Sequence, residues 1–193
     1  MFTPDRLFHS FAAAAVLAAA VASGSAAAQT HYGFGKPATP EEIAGWNIDA
    51  SPDGSGLPPG SGTVEQGKAL YTQLCLACHG EAGKGGTAPA LAGGQGTLAT
   101  PKPNRTIGSF WPYATTLFDY INRAMPWDKP QSLKPDEVYA LTAMLLNANK
   151  IVPDDAVMNA ETLAKVRMPN QDGFKSARKG ENLVSGSRCM KAC

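Results

Sequence analysis

Two cysteines separated by two residues and followed at once by a histidine, Cys75-Leu76-Ala77-Cys78-His79, carry the strongest chemical signal in the sequence. Thiols at this spacing can add to the two vinyl groups of a haem while the next residue offers an imidazole to the iron, so the run reads as a c-type haem attachment sequence. It occurs once, which implies one covalent haem c. The competing readings of a Cys-x-x-Cys pair are a thioredoxin-like redox couple and half of a zinc site. The first normally opens a helix after a strand, whereas this pair closes a helical pattern. The second would need further ligands from the distant pair Cys189 and Cys193.

A haem iron held by His79 has one axial position left. Its candidates are His31, in a Gly/Pro-rich stretch, and Met125, Met144, Met158, Met168 and Met190. Met144 falls on the apolar face of a helical pattern and reads as core, while Met158, Met168 and Met190 lie in the C-terminal stretch. Met125 precedes Pro126 between two helical patterns, where a loop can bring its thioether opposite His79. The predicted metal ligands are therefore His79 and Met125.

The elements that must position these groups are helical. Thr63 and Gln66 have the spacing of a capping box, which predicts a helix running toward Cys75 with Val64, Leu70 or Tyr71, and Leu74 on its apolar face. Residues 80–108 are rich in glycine and proline without periodicity, and a loop this long suggests that it encloses something. A second helix is expected with Pro112 in its first turn, through Ala114, Leu117, Phe118 and Ile121, ending near Met125. A third begins at Pro135 with Asp136 and Glu137 in its first turn and ends at residues 147–150. A short turn at residues 41–46, a further candidate at residues 160–167 and the lack of any alternating strand pattern complete an all-α expectation.

The remaining segments frame this domain. Residues 1–28 read as a signal peptide, with Arg6, an apolar run at residues 11–22 and small residues up to Ala28. The run is shorter than the roughly 20 apolar residues that span a bilayer. The mature chain is then exported, periplasmic and free of a membrane span. Residues 29–62 form an N-terminal extension, 63–150 the haem domain and 151–193 a C-terminal extension with little to bury. Cys189 and Cys193 read as a local disulfide in an oxidising compartment, with free or intermolecular thiols as the alternative. A formal charge of +1 over 193 residues and no Lys/Arg-rich block give no footprint for nucleic acid or an anionic membrane.

The arrangement resembles the class I cytochrome c fold over residues 63–150, carried by Gly67 and Tyr71, the run at 75–79, Ala88-Pro89-Ala90-Leu91 and Arg123-Ala124-Met125-Pro126. The resemblance implies three main helices around one haem, with the Pro89 carbonyl accepting a hydrogen bond from the proximal imidazole. Residues 41–50, 56–62, 91–98 and 108–114, together with Met168-Pro169-Asn170, are similar to the cytochrome subunit, SoxD, of the sulfane dehydrogenase of the Sox sulfur-oxidising system. That likeness implies a SoxC-like, sulfite-oxidase-type molybdenum-cofactor subunit as electron donor and a downstream cytochrome or oxidase as acceptor. Some members continue into a second haem domain, which this sequence lacks.

Electron transfer is the function these residues favour, since a His/Met pair saturates the iron. The alternatives are a free shuttle, a subunit for a sulfite-oxidising enzyme, and a haem enzyme acting on a sulfur compound. The last would need an open sixth site and nearby acid/base groups, and no distal histidine is offered by the core.

Overall fold

The structure, a computed structural model, describes residues 35–174. Residues 35–39 belong to a separate N-terminal unit and are exposed and irregular. Residues 1–28, expected to be a signal peptide, and His31, Met190, Cys189 and Cys193 lie outside the described residues.

The larger unit opens with a short helix, α1 (Pro40–Trp46), that buries none of its residues. Strand β1 (Ser61–Thr63) then runs directly into α2 (Val64–Leu74), with Thr63 as the N-cap. The expected capping box is present: Thr63 Oγ1 accepts from the Gln66 amide at 3.2 Å, and Gln66 Oε1 accepts from the Thr63 amide at 2.9 Å. Val64, Gly67 and Tyr71 are its buried face. After the one-turn helix α3 (Leu76–His79) and a 3-10 turn (Glu81–Gly83) comes the long loop, which lacks regular structure up to α4 (Ala114–Ala124).

Helix α5 (Pro135–Ala148) has Pro135 in its first turn, and Glu137 Oε2 accepts from the Lys134 amide at 2.7 Å. All residues from Val138 to Leu146 are buried, so α5 is the central element, packed on α2, α4 and β1. Its crossing with α2 is close because Gly67 has no side chain. A Cβ there would come within 2.0 Å of the Ala140 carbonyl oxygen and 2.6 Å of Met144 Cβ. Phe118 of α4 and Tyr139 of α5 meet with ring centroids 4.5 Å apart, and the Tyr139 hydroxyl donates to the Pro58 carbonyl at 2.8 Å.

Three expectations need correction. The second helix starts at Ala114, with Pro112 outside it and Tyr113 as an extended N-cap, because Tyr113 forms an antiparallel bridge with Arg167. The helix expected over residues 160–167 is shorter, α6 (Ala160–Ala164), since the same bridge draws Arg167 away.

The third correction concerns the C-terminal extension, which contributes substantially to the core. Strand β2 (Val157–Asn159) pairs antiparallel with β1, Gly62 opposite Met158, and Asn159 caps α6 by accepting from the amides of Glu161 and Thr162 at 2.9 Å each. Met158, Leu163 and Met168 are all buried in the main apolar cluster. Burial of side chains of this size stabilises by roughly 1.5–3 kcal/mol each. Widely spaced single apolar residues in a polar stretch gave no periodic signal, yet all reach one core.

Candidate haem site

The five-residue motif sits where α2 breaks. Cys75 ends α2, its amide donating to the Tyr71 carbonyl at 2.9 Å, and its backbone leaves helical geometry before α3 begins. Within α3 the His79 amide donates to the Cys75 carbonyl at 2.9 Å and the Cys78 amide to the same carbonyl at 3.2 Å. Residues three and four apart share a helix face, so one turn puts both thiols and the imidazole on one side. All three line a cleft of about 710 Å³, within the roughly 300–1,000 Å³ usual for cofactor sites.

The imidazole is held from behind. His79 Nδ1 lies 3.1 Å from the Pro89 carbonyl oxygen. With the proton on Nδ1 the ring donates to that carbonyl and leaves Nε2 bare for a metal, the usual way an outer contact selects a ligand tautomer. The segment bearing Pro89 is fixed by the Ala88 amide donating to the Cys78 carbonyl and the Gly85 amide to the His79 carbonyl, both at 2.8 Å. Gly80 makes this return possible. Its φ is +71°, and a Cβ would lie 2.2 Å from the Gly85 carbonyl oxygen.

Burial, and next the neighbouring Cys78, push the Cys75 thiol up to about 11. A nucleophilic redox pair requires the opposite, a thiol made more acidic. Among the described residues no three His, Cys, Asp or Glu side chains converge on a metal-binding position.

Met125 caps the C-terminal end of α4, its amide donating to the Ile121 carbonyl at 3.1 Å, and its side chain lines the same cleft as His79. The other described methionines after residue 34 lie elsewhere. Met144, Met158 and Met168 are buried in the core without lining this cleft, and Met168 instead borders a separate groove at the end of α5. The cleft walls are mainly apolar, with Leu91, Ile107, Ile121, Leu141 and Leu145 among them, while Arg105 and Asp128 bring charge to its lining. Paired thiols, an oriented imidazole, a thioether and apolar walls fit a haem.

One residue with a large part in building this site carried no functional signal in the sequence. Asn149, just past α5, is buried and ties the long loop to the helix. Its Oδ1 accepts from the Gly93 amide at 3.1 Å, and its Nδ2 donates to the carbonyls of Leu91 and Leu145 at 3.1 and 2.9 Å. Gln95 Nε2 donates to the Asn149 carbonyl at 3.2 Å, and Gly108 leaves room where a Cβ would meet Asn149 Oδ1 at 2.2 Å. The sequence shows only an asparagine at the end of a helical pattern, which reads as a helix stop.

A family model described as cytochrome c matches residues 64–149. The crystal structure of the sulfane dehydrogenase SoxCD from Paracoccus pantotrophus contains a chain 44% identical to this one, with a TM-score of 0.72; the match covers 83% of this chain and 81% of that chain. This chain belongs to the cytochrome c family. Among curated proteins none matches it. The cytochrome has the class I fold, with α2, α4 and α5 as the three main helices, and its family carries haem c bound covalently. It is an electron-transfer protein. Among the described residues no helix of the cytochrome is long and apolar enough to cross a membrane.

Proposed function

We propose that this cytochrome is the electron-accepting subunit of an exported sulfane dehydrogenase, with haem bonded to Cys75 and Cys78 and its iron held between His79 and Met125. The observation that carries the ligand set is that His79 and Met125 line one cleft together with both cysteines, while Met144, Met158 and Met168 do not. The likeness to SoxCD supports a SoxC-like molybdenum-cofactor subunit as the electron donor. A downstream cytochrome or oxidase accepts the electron, in the periplasm, after removal of a leader near Ala28.

When bound, the haem supplies a one-electron iron centre. The chain's own residues set its behaviour. With its proton on Nδ1, His79 donates to the Pro89 carbonyl, which orients the ring and leaves Nε2 free for the iron. The Met125 thioether would serve as a second ligand to the iron, a donor that favours a raised potential, and the apolar walls of the cleft would keep water from it.

The test is to mix the oxidised cytochrome with its molybdenum partner and a protein-bound sulfane substrate, following reduction of the haem bands. Reduction only when both partner and substrate are present supports the reading. Reduction by substrate without the partner, or rapid cyanide binding to the reduced haem, would favour an enzymatic haem instead.

A further inference from the structure

We infer that the C-terminal segment tunes the haem through Arg105: Phe174 and Asn170, acting through Phe110, position that arginine as the counter-charge for the haem carboxylates. The inference rests on the reading above that haem is bonded in this cleft, and not on the identity of the electron donor. Haem carries two ionised propionate side chains, and a carboxylate set against apolar walls is costly unless a cation meets it. Among the described residues that line the cleft, Arg105 is the only lysine or arginine. No carboxylate of the described residues forms an ion pair with it. Its planar guanidinium matches a carboxylate in shape as well as charge. Asp128, the acid in the same lining, has the wrong sign for the role.

The backbone on both sides of Arg105 is fixed. The Asn104 amide donates to Thr97 Oγ1 at 3.0 Å, and the Thr106 amide donates to Ser109 Oγ at 2.8 Å. The same Ser109 hydroxyl donates to the Asn104 carbonyl at 2.6 Å, and the Phe110 amide to the Thr106 carbonyl at 2.9 Å. This closed turn brings Phe110 under the arginine, whose Cζ lies 5.5 Å from the ring centroid, within the roughly 6 Å range of a cation–π contact. Phe110 is held in turn from the far end of the chain. Asn170 Nδ2 donates to its carbonyl at 2.7 Å, and the Phe174 ring meets its ring edge-on with centroids 5.2 Å apart. Phe174 is half exposed and lines neither the haem cleft nor the groove beside Met168, so its described ring contact is this one. A positive charge beside the cofactor favours the reduced iron, so whatever orders Arg105 raises the potential.

The experiment is a redox titration of the haem-loaded, full-length protein, comparing wild type with Arg105→Gln, Arg105→Lys, Phe174→Ala and the double variant Arg105→Gln/Phe174→Ala. At a fixed mediator potential the reduced-to-oxidised ratio should fall at least about threefold in Arg105→Gln, the direction expected for loss of one nearby positive charge. Arg105→Lys, which keeps the charge without the fork, should recover part of that fall. Phe174→Ala should lower the ratio less than Arg105→Gln does. In the Arg105→Gln background it should add nothing, because a residue that acts through Arg105 has no further effect once the arginine is gone. An unchanged ratio in haem-loaded Arg105→Gln overturns the inference and leaves the haem reading intact. A Phe174→Ala protein with the wild-type ratio, or an effect of Phe174→Ala that is equal in both backgrounds, overturns the positioning role, since a side chain that merely packs would change stability alone. Absence of covalent haem from the wild type overturns both readings. If Arg105→Gln fails to load haem, Arg105→Lys and Phe174→Ala carry the test: both must lower the ratio, and wild-type values in both overturn the inference.

Discussion

The Tyr71 hydroxyl donates to the Gly80 carbonyl at 2.8 Å, tying the last turns of α2 to the residue immediately after His79. The bond spans the haem-attachment turn from end to end, and burial raises the phenol above its ordinary range. Tyr71→Phe should keep covalent haem and the visible spectrum but lower unfolding stability by about 1 kcal/mol, the net worth of one such bond. Denaturant titration of the haem-loaded protein measures it. Loss of haem attachment in this variant would mean that the bond acts before folding is complete.

Replacing Cys75 and Cys78 together with alanine should abolish covalent haem, read as the loss of one haem mass in the intact protein. The same mass measurement on wild type tests the leader, which should be absent up to about Ala28. A haem-free, full-length exported protein would refute the attachment assignment.

Met125→Ala should remove the weak red sulfur-to-iron absorption band of the oxidised protein, lower its potential and open the iron to cyanide. Met168→Ala should leave the band in place because Met168 does not line the haem cleft. Its side chain is nevertheless buried in the core, so the variant should lose about 2–5 kcal/mol of stability. Loss of the band in the Met168 variant alone would reverse the ligand assignment.

Tyr139 gives a pH signature. Burial pushes its phenol from 10 to about 12 in the folded protein. Because the folded value is the higher one, its contribution is full below pH 10 and is lost as pH rises toward 12. Stability should therefore fall across this alkaline window. Tyr139→Phe should flatten that part of the decline, while costing about 1 kcal/mol at neutral pH through loss of the Pro58 hydrogen bond.

Much of the helical frame was legible because its signals are local. Thr63 and Gln66 announced α2, Pro135 with Asp136 and Glu137 announced α5, and Pro126 marked the end of α4 at Met125. The attachment motif was read from its own five residues together with the helical pattern that they close. What escaped reading depends on distant partners. Strands of three residues are too short to show a period of two, and the bridge from Tyr113 to Arg167 displaces two helix ends that propensity alone would extend. Asn149 looked like a simple helix stop, because nothing nearby in sequence reveals that Gly93 and Leu91 lie against it.

Asn149→Ala should consequently cost roughly 2–3 kcal/mol, since it strands buried backbone groups of the loop. Hydrogen exchange should rise at Gly93 and in the adjoining loop, while the amides of α2 stay protected. Uniform loss of protection across the domain would contradict a local role.

The pairing of Gly62 with Met158 joins a strand that precedes the haem motif to one that follows Met125. Every residue that lines the haem cleft lies between these two strands in sequence, so the seam joins the two ends of the stretch that builds the site. Without residues 157–168, β1 would lose the strand it pairs with and the core around Met158, Leu163 and Met168 would be uncovered.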